Sequence, residues 1–293
     1  MRTFVVVLIL VAALAAAYFI LTYEGGPAAS APASTEQTGP DAGPATVRLA
    51  SWNLLNLGGS KNDDEIAFMA EQLRAFDVVA VQEVITSPEG AQAVARLDAA
   101  LDRTGAAWDY VLSEPTTGTG SERYAFLWKP ARVRLVGRAW LESALADPLD
   151  REPYLARFEA PNGRRMLVAS FHAVPTAKRP ADEIALLDAL HTRYEADDVL
   201  LVGDFNLAES HYAFDELKEL GYRPALVDQR TSLRMRRKDG RHLANEYDNI
   251  FYEAGPLRAA RAGAVDFTGA FRTLREARQI SDHLPVYMDV TWN

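Results

Sequence analysis

The chain has 293 residues, of which 48% are hydrophobic and 24% charged, so it can bury the core of one large domain or two small ones. Its net charge of −9 argues against a surface that binds nucleic acid everywhere, although it leaves room for a local basic patch. The sequence contains no cysteine, which excludes disulfides, thiolate catalysis and zinc sites built from cysteines.

The N-terminus carries an uncharged apolar run from Phe4 to Leu21. A membrane-spanning helix needs about 17–25 apolar residues, whereas the core of a signal peptide usually has about 7–15. Arg2, the only nearby charge, favours a cytoplasmic N-terminus. We therefore favour an uncleaved membrane anchor in residues 1–23 over a cleaved signal peptide. Either way we expect the rest of the chain to be exported, anchored to the outer face of the cytoplasmic membrane or, after cleavage, secreted.

Residues 24–46 are rich in proline, alanine and glycine and contain no large apolar side chain. Such a segment cannot bury a core, which predicts a flexible linker. The folded domain is then residues 47–293.

That domain alternates short β-rich runs with helical ones. Strands are predicted at Val47–Asn53, Asp77–Val84 and Asp198–Asn206, and late in the chain within EYDNIFYEA and HLPVYMDVTW. Helices are predicted at Asn62–Phe76, Gly90–Arg103, Ala181–Glu195 and Phe214–Leu220. One hairpin is predicted from YAFLWKP and RVRLVGRAW, broken at Pro130, and another turns at Asn162-Gly163. The mixture predicts an α/β (α+β) fold, a layered sandwich of mixed sheets with helices outside.

Polar side chains stand at the ends of six apolar segments. They are Asn53, Glu83, His172, Asp204 with Asn206, Asp248, and Asp282 with His283. Each has a structural explanation when taken alone, such as a turn-forming asparagine, a solvated strand end or a hydrogen-bonded core histidine. The occurrence of such residues at the ends of all six segments favours a single site at which these segments converge.

The chemistry that suits this set is metal-assisted cleavage of a phosphoester. Carboxylate and amide oxygens without thiols suit a hard cation such as Mg²⁺, Ca²⁺ or Mn²⁺. Two histidines can act as general base and general acid, or stabilise phosphate charge. The cation would offset the negative charge that develops on the phosphate.

The motifs SWN, VQEV, SFH, GDFN, YDNI and SDHLPV, in this order, resemble the endonuclease/exonuclease/phosphatase superfamily. Ser121–Pro130, Arg151–Phe158 and Val265–Arg272 are similar to its deoxyribonuclease I branch. The resemblance covers essentially Val47 to Thr291. It implies a four-layer sandwich of two mixed β-sheets flanked by helices, and a divalent-metal-dependent phosphodiesterase.

The resemblance also implies a role for each matching residue. Glu83 is the principal metal ligand, and Asn53 and Asp282 are further metal positions. The catalytic set is His172 oriented by Glu122, His283 oriented by Asp248, and Asp204. The phosphate- or substrate-binding set is Asn53, Asn206, Arg151 and Asn249.

Three positions depart from the branch. Gly120 stands where the branch has a tyrosine that stacks in the DNA minor groove, and Leu55 and Ile85 stand where it has arginines. Their loss weakens the expected grip on double-stranded DNA.

A basic segment, Gln229–His242, would compensate for this loss. It carries six Lys or Arg residues against one acid and reads as an unpatterned polar loop that could reach a phosphate backbone. Thr231 and Ser232 within it could donate hydrogen bonds to phosphate. The alternative is a solvated loop that offsets an acidic body.

The leading hypothesis is therefore an exported deoxyribonuclease, with DNA as its partner and a monomeric chain. The first alternative is the same chemistry on another ester, in a sphingomyelinase-like phospholipid phosphodiesterase or an inositol-phosphate phosphatase. A non-catalytic binding module is the third. It is disfavoured because facing carboxylates repel one another without a cation.

Overall fold

The computed structural model describes residues 46–293. The predicted anchor, residues 1–23, and all but the last residue of the predicted linker lie outside the described residues. Within residues 46–293, no helix combines the length and the apolar character needed to cross a membrane.

The described elements alternate along the chain. The α-helices are α1 (Asp63–Leu73), α2 (Pro88–Asp102), α3 (Pro180–Ile184), α4 (Asp188–Arg193), α5 (Asp215–Glu219) and α6 (Leu274–Ile280). The strands are β1 (Val47–Leu57), β2 (Val78–Val84), β3 (Asp109–Leu112), β4 (Arg123–Trp128), β5 (Arg134–Leu141), β6 (Tyr154–Glu159), β7 (Arg165–His172), β8 (Val199–Asp204), β9 (Tyr222–Pro224), β10 (Leu233–Lys238), β11 (Arg241–Leu243), β12 (Asp248–Glu253), β13 (Leu257–Ala264) and β14 (Val286–Trp292).

Most strands form two six-stranded sheets. The first has the order β13-β14-β1-β2-β4-β3 and the second the order β5-β6-β7-β8-β12-β9, while β10 and β11 pair with each other. Each sheet is mixed, because β1–β2 and β7–β8 are parallel and their other strand pairs are antiparallel. The predicted fold class is confirmed.

Three apolar clusters hold four layers together. In β2, Val78 and Ala80 face the second sheet, whereas Val79 and Val81 face the cluster shared with α1, α2 and α6. This is the period-two alternation of a strand buried on both faces. A third cluster joins the second sheet to α3, α4 and α5. The order of layers is helix, sheet, sheet, helix.

Local signals account for two elements. Helix α1 begins with a capping box in which Asn62 Oδ1 accepts from Glu65 N and Glu65 Oε2 accepts from Asn62 N, both at 2.9 Å. The predicted hairpin at Asn162-Gly163 joins β6 and β7, with Gly163 in the left-handed region at φ 80°.

The prediction of a hairpin around Pro130 is wrong. Strand β4 pairs with β2 and β3 in the first sheet, whereas β5 pairs with β6 in the second. A turn after Lys129, in which Arg132 N donates to Lys129 O at 2.9 Å, carries the chain from one sheet to the other. Pro130 marks a break between strands, but it does not say which sheet each strand joins.

Two further predictions need correction. The single helix expected at Ala181–Glu195 is two short helices, α3 and α4, because Leu186 N and Leu187 N donate to carbonyls three residues back. The basic segment predicted as a loop forms the β10–β11 hairpin. Strands β3, β9 and β13 were not predicted.

Candidate active site

The polar strand ends meet at one edge of the sandwich. Parallel pairing places the end of β7 beside the end of β8, so that His172 lies opposite Asp204. Strand β12 runs antiparallel to β8 and begins opposite the same residue, with Asp248 paired to Asp204. Asn53 and Glu83 arrive from the parallel pair β1–β2 of the other sheet. Neighbouring parallel strands deliver their carboxyl ends to one edge of a sheet, which brings these residues together.

This edge holds a cleft of about 560 Å³. Most of the predicted site residues line it. They are Glu83, Glu122, Arg151, His172, Asp204, Asn206, Asp282 and His283.

His172 is held by an acid on one side and faces the cleft on the other. Its Nδ1 lies 2.9 Å from Glu122 Oε2, and its Nε2 lies 3.5 Å from Asp204 Oδ2. Arg151 closes the arrangement from behind, with Nη1 3.6 Å from Glu122 Oε2 and Nε donating to the carbonyl of His172 at 2.9 Å.

His283 has the same arrangement with different partners. Its Nδ1 lies 2.8 Å from Asp248 Oδ2, and its Nε2 lies 3.5 Å from Asp204 Oδ2. The Trp52 indole donates to its carbonyl at 2.7 Å. Each ring therefore presents Nε2 to one shared carboxylate.

The two sheets are joined at Asn53. Its Nδ2 donates to Glu83 Oε1 at 2.8 Å and to Asp204 Oδ2 at 3.1 Å. Its Oδ1 accepts from Leu55 N at 3.0 Å. This buried amide separates two carboxylates that would otherwise repel, and it orients both toward the cleft.

The donor atoms fit a hard divalent cation. Glu83 and Asp282 offer carboxylate oxygens at the cleft beside Asp204, and oxygen ligands suit Mg²⁺, Ca²⁺ or Mn²⁺. Another group, Asp204, Asp248 and His283, has ligand atoms within 4.8 Å of one another. We favour Glu83 and Asp282, because both line the cleft whereas Asp248 does not.

Burial and neighbouring acids set the charge of the site. Burial lowers the pKa of His172, but Glu122 and Asp204 together more than offset this, and the pKa lies above its usual value despite Arg151. Burial also lowers the pKa of His283, and Asp248 and Asp204 together hold it well above its usual value. The pKa of Asp204 is raised mainly by burial. The neighbouring acids thus stabilise the charged form of each imidazole against the effect of burial.

Three predicted phosphate- or substrate-binding residues do not line the cleft: Asn53, which is fully buried between Glu83 and Asp204, and Asn249 and Thr231. Asn249 donates to Leu226 O at 2.8 Å and accepts from Leu226 N at 3.2 Å, so it fastens β12 to a neighbouring segment. Thr231 is fully buried, and its hydroxyl donates to Asp248 Oδ2 at 2.6 Å. Direct phosphate contact is not supported for any of the three, and Thr231 instead orients Asp248.

The backbone at the cleft adopts rare conformations. Leu55, Asn56, Glu83 and Asn206 all have positive φ, between 45° and 61°, and all four line the cleft. Such conformations cost about 1–3 kcal/mol each and cluster at functional sites. At Gly203 a Cβ would lie 1.8 Å from Phe171 O, so glycine is needed where β8 approaches β7.

The three departures noted in the sequence share one rim of the cleft. Leu55, Ile85 and Gly120 all line it. A Cβ at Gly120 would lie 2.4 Å from Asp150 Oδ2, the carboxylate that accepts from Gly120 N at 3.1 and 3.2 Å through its two oxygens. This rim offers a substrate no positive charge from these positions.

Sequence reasoning missed residues that hold the site from behind. Ser281 Oγ donates to Asn53 O at 2.5 Å and accepts from His283 N at 3.0 Å. Lys61, 5% exposed, donates to Gln279 O at 2.7 Å and Ile280 O at 2.9 Å at the end of α6. Ser281 is the first residue of the SDHLPV motif, which was the available signal, whereas nothing in the sequence around Lys61 indicates its role.

The sequence of the chain is similar to a known family and to named relatives. Residues 50–283 match the Endonuclease/Exonuclease/phosphatase family. The chain belongs to that family. A deoxyribonuclease of Thioalkalivibrio sp. (strain K90mix) is 32% identical over 269 residues, covering 85% of this chain and 72% of that protein. Deoxyribonuclease-1 of Canis lupus familiaris is 30% identical over 266 residues, covering 83% and 91%. The predicted resemblance to the deoxyribonuclease I branch is confirmed.

Solved structures agree on the fold. An endonuclease/exonuclease/phosphatase family protein from Bacteroides thetaiotaomicron superposes with a TM-score of 0.64 at 17% identity, covering 85% of this chain and 98% of that one. D. rerio TDP2 complexed with single strand DNA product gives 0.58 at 16% identity, covering 84% and 99%. As a member of this family, the chain is a hydrolase acting on phosphodiester bonds.

Proposed function

We propose that the chain is a divalent-metal-dependent deoxyribonuclease that is exported from the cell. The observation that carries this proposal is the pair of acid-held imidazoles, each with Nε2 3.5 Å from the same Asp204 carboxylate. Two relatives that are 30–32% identical over most of the chain are named deoxyribonucleases, which supports DNA as the substrate.

The two histidines would divide the proton transfers. One imidazole takes a proton from a water molecule as that water attacks the phosphorus, and the P–O ester bond breaks. The other imidazole gives a proton to the leaving oxygen. Glu122 and Asp248 hold the rings with Nε2 toward the cleft and stabilise the charged form of each.

The remaining residues would seat the phosphate. Asn206, with its backbone N held by Asp204 Oδ1 at 2.9 Å, stands at the cleft between the ends of β7 and β8. Arg151 brings positive charge to the same wall. Glu83 and Asp282 would hold a Mg²⁺, Ca²⁺ or Mn²⁺ ion, which when bound neutralises charge on the phosphate. Asn53, predicted as a further ligand, would instead orient Glu83 through its amide nitrogen, because its amide oxygen accepts from Leu55 N.

Attachment to the membrane is also part of the proposal. Residues 1–23 have the length and composition of an anchor, and residues 24–46 would tether the enzyme to the outer face of the cytoplasmic membrane. Cleavage of the anchor would release a secreted enzyme.

The proposal is tested by incubating the detergent-purified chain with supercoiled plasmid in Mg²⁺, Mn²⁺ or Ca²⁺ and then in EDTA. We expect nicking that requires the ion and is lost in His172→Ala. His191→Ala is the matched control, because this partly exposed histidine lies on α4, outside the cleft. If the folded chain leaves plasmid intact but hydrolyses sphingomyelin or inositol phosphates, the DNA assignment is wrong and the corresponding alternative is right.

A further inference from the structure

A second concave surface lies between the β10–β11 hairpin and α6. This basic groove has a volume of about 550 Å³. Its lining contains five arginines among eight residues. The residues are Met235, Arg236, Arg237, Arg272, Thr273, Leu274, Arg275 and Arg278.

Most of this charge is uncompensated. Among residues 46–293, the salt bridges include none for Arg236, Arg237, Arg272 or Arg275, which are all exposed. Glu276, the nearest acid on α6, is occupied in the helix cap, where it accepts from Thr273 N at 3.2 Å. In a chain with net charge −9, such a cluster of like charges repels itself unless an anion occupies the groove.

The basic groove adjoins the catalytic cleft. Leu233, the first residue of β10, donates its N–H to Asp282 O at 2.7 Å, and the preceding Ser232 forms a β-bridge with His283. Arg278 donates to Leu233 O at 2.8 Å and to Asp282 Oδ2 at 3.0 Å. The wall that carries His283 is thus shared with the groove.

We propose that the basic groove holds the phosphate backbone of a polynucleotide on one flank of the bond that is cleaved. The inference rests on the proposed function and adds to it the path of the substrate. Strand β10 runs from Leu233 to Lys238, so its five steps of about 3.3 Å extend about 17 Å from the cleft wall. That length corresponds to about five nucleotides of one strand measured along the axis of B-DNA, at about 3.4 Å each.

The nature of the surface favours a polynucleotide over a membrane. The groove is concave and is bonded to the wall of the cleft through Leu233 and Arg278, whereas an anionic membrane would be met by a flat or protruding face. Met235, 74% exposed among the arginines, offers an apolar contact for a sugar or a base face. The groove also supplies positive charge that Leu55, Ile85 and Gly120 do not bring to the cleft.

The test compares Arg236→Gln/Arg237→Gln with the control Arg138→Gln/Arg164→Gln. The control removes the same charge from exposed arginines that line other surfaces and make no salt bridge among the described residues. Binding of a fluorescent 30-base-pair duplex to the full chain in detergent is followed by anisotropy in EDTA, across a series of salt concentrations. Thermal melting confirms that each variant is folded.

Each phosphate contact contributes about 0.9 to the slope of log affinity against log salt. We expect the groove variant to lose about 1.8 of that slope while the control keeps the wild-type value. We also expect hydrolysis of bis(p-nitrophenyl) phosphate, which is too small to reach the groove, to be unchanged.

The outcomes separate the two proposals. An unchanged salt slope in the groove variant would overturn the groove assignment even if plasmid is nicked normally. If the variant keeps its duplex affinity but loses retention on mixed micelles of anionic phospholipid, the groove faces a membrane instead. If the wild type shows a groove-dependent slope but cleaves no DNA, the groove assignment stands and the proposed reaction fails.

Discussion

The two histidines of the cleft are built alike but supported differently. Each has Nδ1 on a buried acid and Nε2 3.5 Å from Asp204. Glu122 lies near the guanidinium of Arg151, at 3.6 Å, whereas Asp248 is bonded by the neutral hydroxyl of Thr231. A nearby positive charge weakens the pull of one acid on its imidazole, and the other acid keeps its full effect. The geometry is therefore nearly symmetric, while the electrostatics are not.

The largest effect should come from removing either ring. We expect His172→Ala and His283→Ala each to reduce kcat/KM on plasmid by about 10²–10⁴-fold, because each removes one positioned proton carrier. Initial rates of nicking, with His191→Ala as control, measure this. If kcat/KM of either variant falls by less than tenfold, that ring transfers no proton in the rate-limiting step.

Replacing Glu122 or Asp248 should reduce activity less than removing a histidine. Comparing the two variants should show whether the two acids contribute equally. We expect Glu122→Gln and Asp248→Asn to reduce activity by about 10–100-fold, as is typical when a partner that orients a functional histidine is lost. The same nicking assay measures both variants. Near wild-type activity in either would show that this ring is positioned by its packing alone.

The pH dependence of stability should differ between the His172–Glu122 pair and the His283–Asp248 pair. Both imidazoles have a folded-state pKa above the usual value. Each therefore stabilises the fold fully below its unfolded pKa of about 6.5 and loses this contribution as the pH rises through the folded pKa. Because the pKa of His283 is raised well above its usual value, its contribution should persist to higher pH than that of His172.

Calorimetry in EDTA from pH 5 to 9 can check this on His172→Gln and His283→Gln. The gap in Tm between wild type and variant should close with rising pH, at lower pH for His172→Gln. If the two Tm differences disappear at the same pH, or that of His283→Gln disappears first, the two histidines do not differ in pKa as expected.

The smallest effect should come from Thr231→Val, which removes a hydroxyl that donates to Asp248 Oδ2 and accepts from the main-chain N–H groups of Tyr247 and Asp248. Loss of its bond to Asp248 should lower the free energy of unfolding by about 1–3 kcal/mol, since it leaves a buried acceptor short of a partner. Chemical denaturation measures this. The pKa of His172, followed by NMR, should not move, and a shift there would show that the two pairs are coupled through Asp204.

Sequence could identify the site because its residues stand at the ends of strands. Asn53, Glu83, His172 and Asp204 each close a run of apolar residues, and parallel pairing then brings such ends together. The resemblance added Glu122, whose local sequence alone does not distinguish it from a surface acid, and it gave Asp248 its role as the partner of His283.

The failures share a physical cause, which is contact between distant parts of the chain. Nothing near Pro130 records that β4 and β5 join different sheets. Thr231 and Asn249 look like phosphate donors until their buried partners, Asp248 and Leu226, are known. The β10–β11 hairpin escaped prediction because its arginine-rich strand has no apolar alternation.

The left-handed backbone at the cleft has a consequence for laboratory evolution. Leu55 and Asn56 hold positive φ on the rim at a cost that glycine would not bear. The hydrogen bond from Asn56 to Glu83 Oε2 uses the main-chain N–H, so glycine would keep it. A screen for heat resistance alone should therefore recover glycine at these two positions. If catalysis needs a rigid rim, a screen for turnover would reject glycine at Leu55 and Asn56. Selection for heat resistance and selection for turnover would then favour different residues at these two positions.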